Sequence, residues 1–209
     1  MLVHPNRSDL VLLQPSDVES TTPPAHAEHI GALRSVLRWA HEYLMQPHPE
    51  LGRAGPVCPF VSASLRAAAF HLAVCAGADL DRREITAQVD AFREWFRELP
   101  QAGGRKVNLT TVLILFPDVR TSQAPELIDG VQAELKGGFV AAGLMIGQFH
   151  PLPPDQAGLW NADFRPLRSP VPMLVIRHMV GTDLPFLAAD PRHTAAYDRL
   201  FGTTTSTGA

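Results

Sequence analysis

Between residues 66 and 179 the apolar pattern of the chain switches back and forth between strand-length runs and helical periodicity. Apolar residues recurring every three to four positions make one stripe of a helix, whereas a short unbroken apolar run fits a buried strand. Residues 82–99 carry the clearest helical pattern, with Ile85, Val89, Phe92, Phe96 and Leu99 on one face, charges on the other, and Asp81 placed to cap it. Residues 25–45 and 125–143 repeat this pattern, the first stopped by Pro47 and Pro49, the second opened by Pro125. Residues 66–76, 111–116, 144–149 and 172–179 read as strands, and residues 191–200 as a short closing helix. The order helix, strand, helix, strand, helix, strand, strand, helix predicts an α/β (α+β) fold. Its centre is a mixed sheet of about four or more strands flanked by helices, in a single domain.

The ends look different. Residues 1–24 hold Pro5, Pro15, Pro23 and Pro24 among polar residues and read as an irregular N-terminal arm. Residues 25–201 form the expected α/β domain, and the Thr/Ser/Gly-rich residues 202–209 a flexible tail. Residues 47–60, dense in proline and glycine, form a shaped loop, the kind of segment that often carries function.

Bulk properties narrow the function. A net charge of −3 argues against general nucleic-acid binding, which needs a basic surface. The longest apolar run near the N-terminus, Leu10 to Leu13, is too short for a signal peptide or a membrane span. Two cysteines make neither a disulfide framework nor a four-cysteine zinc site, so a cytoplasmic location is expected. The Gly-rich nucleotide-binding motifs, Gly-x-Ser-x-Gly and His-Glu-x-x-His are all absent.

Candidate chemistry sits in four places. Cys58 is held in Val57-Cys58-Pro59-Phe60, either as a thiolate ligand or nucleophile or as a small buried hydrophobe. His150 ends a strand at Pro151, where an imidazole can ligate a metal, act as a base, or simply be hydrogen-bonded scaffold. Arg165 and Arg168 lie three apart in the proline-stiffened stretch Phe164-Arg165-Pro166-Leu167-Arg168-Ser169-Pro170, suited to carboxylate recognition unless Asp163 merely pairs with them. On the last strand, Arg177 and Met179 share one face and His178 takes the other, and Asp183 follows in a turn that can return a carboxylate to Arg177.

These segments resemble a bacterial family of unknown function found largely in actinobacteria. The resemblance rests on Pro47-His48-Pro49-x-Leu51-Gly52-Arg53-x-Gly55-x-Val57-Cys58-Pro59-Phe60, Gly143-Leu144-Met145-Ile146-Gly147-Gln148-Phe149-His150-Pro151, Phe164-Arg165-Pro166-Leu167-Arg168-Ser169-Pro170-x-Pro172 and Ile176-Arg177-His178-Met179. It implies a place in specialised metabolism and no stated chemistry. A fainter likeness is to small haem-dependent amino-acid N-oxygenases of the YqcI/YcgG type, which also pair a Pro/Cys/Phe loop with a late strand. This chain lacks the arginine-rich ending of that family.

Three functional expectations follow. The first is a haem-dependent oxidative enzyme acting on a small amino-acid-like metabolite. His150 is its axial metal ligand, Cys58 the rival ligand, and Arg165 and Arg168 hold propionates or a substrate carboxylate. The second is a cofactor-free enzyme in which His150 is the base, Asp163 orients it and Arg177 holds a carboxylate substrate. The third is a non-catalytic binding or partner protein. For the two enzymes the partner is a small-molecule substrate bearing a carboxylate, for the third a pathway enzyme would be the partner, and no nucleic acid and no membrane are expected, with a homodimer compatible. All the catalytic expectations require His150 and the arginines to share one enclosed space.

Overall fold

The computed structural model of the chain describes residues 1–20, 26–100, 108–153 and 155–202. In chain order the strands are β1 (Leu2–His4), β2 (Arg7–Leu12), β3 (Phe70–Val74), β4 (Thr111–Leu115), β5 (Leu144–Phe149) and β6 (Met173–His178). The helices are α1 (Pro15–Glu19), α2 (Ile30–Trp39), α3 (Val61–Arg66), α4 (Arg82–Glu98), α5 (Gly130–Ala141), α6 (Leu184–Leu187) and α7 (Pro191–Phe201).

β3 to β6 make a mixed sheet in the order β3-β4-β6-β5, and β1 with β2 a separate antiparallel pair, giving a single α+β domain. β4 lies parallel to β3, and β6 runs antiparallel to both its neighbours. α4 makes the crossover from β3 to β4. Asp81 accepts from the Glu84 N–H at 2.8 Å while the Glu84 carboxylate accepts from the Asp81 N–H at 2.9 Å, so two orphan donors are satisfied at its start. α5 stops at Gly143, whose φ of +76° is the left-handed conformation that lets the chain turn directly into β5.

Strand alternation divides the core in two. Ala73, Val112, Ile114, Leu144, Ile146, Leu174 and Ile176 face α4 and α5 and pack with Ile85, Phe92, Phe96, Val131 and Phe139. Phe70, Leu72, Val74, Leu113, Leu115 and Met173 face the other way, onto Leu33, Val36, Leu37 and Val61. The helices cover this second face only in part. The positions in register beyond it, Thr111, Val175, Arg177, Met145, Gly147 and Phe149, are left to floor a cavity.

Two expectations need correction. Residues 1–20 are a hairpin followed by α1, not an irregular arm. Leu10, Leu12, Leu13 and Val18 are buried, and Leu13 and Leu72 exchange backbone hydrogen bonds of 2.8 Å each way. The prolines punctuate this structure without preventing it: Pro5 sits between the strands and Pro15 opens α1, where a missing N–H costs nothing. The strand expected from Arg66 begins only at Phe70, because Val61–Arg66 coils into α3 and Ala68 turns the chain at φ +52°. The expected tail beyond Gly202, with Pro23, Pro24 and Ala25, lies outside the described residues.

Candidate functional site

A cavity of about 240 Å³ opens over the uncovered half of the sheet. Its floor is apolar, built from Phe70, Leu113, Val175 and Phe149, and Trp39, Leu44, Cys58, Val61 and Phe186 contribute to its walls. Arg177 stands in this floor. It is the register partner of Thr111 on β4 and Met145 on β5, and strand parity turns its side chain to the cavity.

The guanidinium is held rigidly. Nη1 donates to Asp183 Oδ2 at 2.7 Å and to the His178 carbonyl at 3.0 Å, and Nη2 donates to Asp183 Oδ1 at 2.7 Å. Asp183 is 3% exposed and also accepts from the Val180 N–H at 2.8 Å. This is the carboxylate return expected from the sequence. The Nε–H and one Nη2–H of Arg177 have no partner among the described residues. Lys136, from α5, reaches the same cavity with Nζ donating to the Phe186 carbonyl at 3.2 Å, so it too keeps donors to spare. Asn108 Nδ2 is buried at the wall with no hydrogen-bond partner among the described residues. His178 lies 4.9 Å from Phe96, ring centre to ring centre, and burial pushes its imidazole below the ordinary histidine value. The hollow therefore offers an apolar bed with donors and positive charge at one side.

Cys58 borders this cavity and is half-buried, its N–H donating to the Leu44 carbonyl at 2.8 Å. Cys75 is buried in the other core, where the apolar surroundings push its thiol up to about 12.

His150 is elsewhere. It has the parity of Leu144, Ile146 and Gln148, so its ring enters the side of the sheet that α5 covers, away from the cavity. The ring is 1% exposed, and Nε2 lies 3.0 Å from Asp129 Oδ1 and 3.2 Å from Oδ2. Burial pushes the Asp129 carboxyl up, and the bonded imidazole works against that. Nδ1 is buried without a partner among the described residues. The orienting carboxylate expected at Asp163 is thus supplied by Asp129, delivered by the wide helical turn Pro125–Asp129 that precedes α5.

Asp163, Arg165 and Arg168 line a separate open cleft outside α2, together with Arg38, Tyr43, His48 and Phe164. Arg165 is committed to Asp155, Nη2 to Oδ1 at 2.8 Å, and to the Ala162 carbonyl at 2.6 Å. The Arg168 carbonyl accepts from Trp39 Nε1 at 3.0 Å, and Tyr43 Oη donates to the Pro166 carbonyl at 3.2 Å. Burial and the nearby Glu50 charge push the Tyr43 hydroxyl up to about 12. Trp39 borders both hollows. The single enclosed space expected for His150 and the arginines is therefore three places: Arg177 with Cys58, Arg165 with Arg168 and Asp163, and His150 with Asp129. Lys136, Asn108 and Trp39 carry no motif and were not among the expected site residues. Their only signal is three-dimensional.

Among the described residues no three His, Cys, Asp or Glu side chains converge as metal ligands, and no helix is long and apolar enough to cross a membrane. No curated protein and no solved structure matches the chain. A family model does match residues 33–209, across the sheet, the cavity and the cleft. The chain belongs to that family, the domain of unknown function DUF6875.

Proposed function

We propose that the chain binds a compact molecule with an apolar body and a carboxylate, the carboxylate on Arg177 and the body along Phe70, Leu113, Val175 and Phe149. The observation that carries this reading is a guanidinium fixed by a buried aspartate in a largely apolar sheet floor, with two N–H groups unpartnered among the described residues. A bare arginine would be costly there even half-buried, as Arg177 is. Pairing with Asp183 lowers that cost and aims the remaining donors, while Lys136 restores a net positive charge. A volume of about 240 Å³ lies just below the roughly 300–1,000 Å³ of pockets for drug-sized ligands, which favours a small metabolite. The free thiols Cys58 and Cys75 suit a reducing compartment, and we place the protein in the cytoplasm.

The test is calorimetric titration of the protein with 3-phenylpropanoate and with 3-phenylpropanol. Binding of the acid at least about tenfold tighter than the alcohol is expected, since a charge-assisted pair replaces a neutral one. The paired substitution Arg177→Gln with Asp183→Asn, which leaves no buried charge unpaired, should abolish the difference. Equal binding of acid and alcohol by the unaltered protein would sink this reading.

A second reading, a haem-dependent oxidative enzyme, has one observation in its favour: the Cys58 side chain borders the cavity. His150 does not fit as its axial ligand, because Nε2 is engaged by Asp129 and the ring lies on the opposite side of the sheet. Arg165 and Arg168 border the outer cleft and do not fit as partners for propionates in this cavity. The reading therefore rests on Cys58, and requires a Soret band in protein from haem-supplied cells that Cys58→Ala removes.

A further inference from the structure

We propose that residues 155–163 form a lid on the Arg177 cavity, latched shut by the loop 47–60 and opened to admit and release the ligand. This rests on the carboxylate reading above and adds to it how the site is reached.

The loop between β5 and β6 is closed at its neck. The Ser169 N–H donates to the His150 carbonyl at 3.2 Å, and His150 and Arg168 form a one-residue parallel bridge. Compact surface loops whose ends meet in this way are frequently functional. The two legs of the loop differ. The second is anchored to the body of the protein: Phe164 is buried, the Pro166 carbonyl accepts from Tyr43 Oη, and the Arg168 carbonyl accepts from Trp39 Nε1. Residues 155–163 are all exposed or half-buried, with Trp160 56% exposed. A segment that buries so little apolar surface belongs to the low end of local stability, from which lids are drawn. Gln156 on this mobile side and Leu167 on the anchored leg both border the cavity, while Asp163 borders the outer cleft. The loop thus stands between the two hollows.

The tip of the loop is clasped by the proline- and glycine-rich loop 47–60. Asn161 Nδ2 donates to the Glu50 carbonyl at 2.8 Å, and Asn161 Oδ1 accepts from the Asp163 N–H at 3.0 Å, which fixes the amide. The Arg53 guanidinium lies 4.8 Å from the Trp160 ring centre and is steadied by the Ala54 and Val57 carbonyls. Gly52, at φ +77°, approaches so closely that a Cβ there would stand 2.6 Å from the Trp160 carbonyl oxygen. One hydrogen bond, one exposed cation–π pair and one close backbone contact make a latch that holds without locking. Within the loop, the Gly158 N–H donates to the Phe164 carbonyl at 2.9 Å and the Phe164 N–H to the Asn161 carbonyl at 3.3 Å. Opening the lid breaks these two bonds, so their amides report it. Closure has a physical use: the Arg177 side chain is 32% exposed, and shutting water away from it strengthens its pairing with a carboxylate.

The test compares the unaltered full chain with Asn161→Ala by hydrogen exchange and by stopped-flow binding of 3-phenylpropanoate. In the variant the Gly158 and Phe164 amides should exchange about 5- to 10-fold faster, as the loss of one hydrogen bond implies, with the β4 amides unchanged. Association and dissociation of the acid should both speed up by about the same factor, leaving Kd within about twofold, because a gate sets rates without contributing a contact. Gly52→Ala, which presses a methyl onto the Trp160 backbone, should act in the same direction. Asn161 lies at the half-exposed tip, so its variant keeps the core and decides the matter even if Gly52→Ala fails to fold. Faster loop exchange with unaltered binding rates overturns the proposal, since the acid then enters elsewhere. So does unaltered exchange in Asn161→Ala, or a loss of affinity with an unaltered association rate, which would make Asn161 a contact and not a latch. In each of these outcomes the carboxylate reading stands. If the unaltered protein binds no carboxylate, that reading falls and the lid falls with it.

Discussion

His150 Nε2 and Asp129 Oδ1 lie 3.0 Å apart on the helix-covered side of the sheet, while Arg177 faces the cavity on the other side. The separation follows from strand parity, and under the carboxylate-binding proposal the histidine is a structural group. His150→Gln should lower stability by roughly 1–3 kcal/mol, the cost of disturbing a buried polar pair, read by urea denaturation. Carboxylate binding should stay within about twofold of the unaltered protein. Loss of binding with unchanged stability would return His150 to the site.

The N-terminal hairpin is part of the core. Leu12 is 1% exposed and packs in the cluster containing Ile85 and Phe92. Leu12→Ala should cost about 2–5 kcal/mol, as for other buried leucines, and lower the urea midpoint accordingly. A cost below about 0.5 kcal/mol, typical of surface sites, would show that residues 1–12 are dispensable as an arm would be.

Stability should fall on the mildly acid side. Burial pulls the His71 and His178 imidazoles below the ordinary value, and His71 Nδ1 is buried without a partner among the described residues. The unfolded chain takes up these protons near pH 6.5, and the native protein only at lower pH. The unfolded state therefore binds more protons below about pH 6.5, and stability drops as pH falls through that window. The urea midpoint should be lower at about pH 5 than at about pH 7.5, and His71→Leu should shrink the difference. An undiminished difference in that variant would assign the acid lability to other groups.

Much of the fold was legible because one signal dominated each element. α4 follows from the spacing of Ile85, Val89, Phe92 and Phe96 with Asp81 before them, and β5 covers residues 144–149 as its apolar run requires. The hairpin was hidden because β1 and the start of β2 are exposed, and only Leu10 and Leu12 of those strands are buried. α3 has six residues, too few for a period to show. For the site, the Arg177–Asp183 pair was readable as a strand followed by a turn. The position of His150 is not legible from its place at a strand end, where side chains commonly face a pocket. Counting parity from Leu144 and Ile146 puts its ring among residues that pack on α4 and α5. Lys136, Asn108 and Trp39 meet only through the tertiary fold, and no spacing along the chain encodes that.

The most direct test follows the backbone and arginine side-chain N–H signals of ¹⁵N-labelled protein during titration with 3-phenylpropanoate. A saturable shift of the Arg177 Nε–H together with the Leu113 and Val175 backbone signals is predicted, with Arg38 and Arg168 unmoved. Shifts confined to Arg38 and Arg168 would place the ligand in the outer cleft and contradict it.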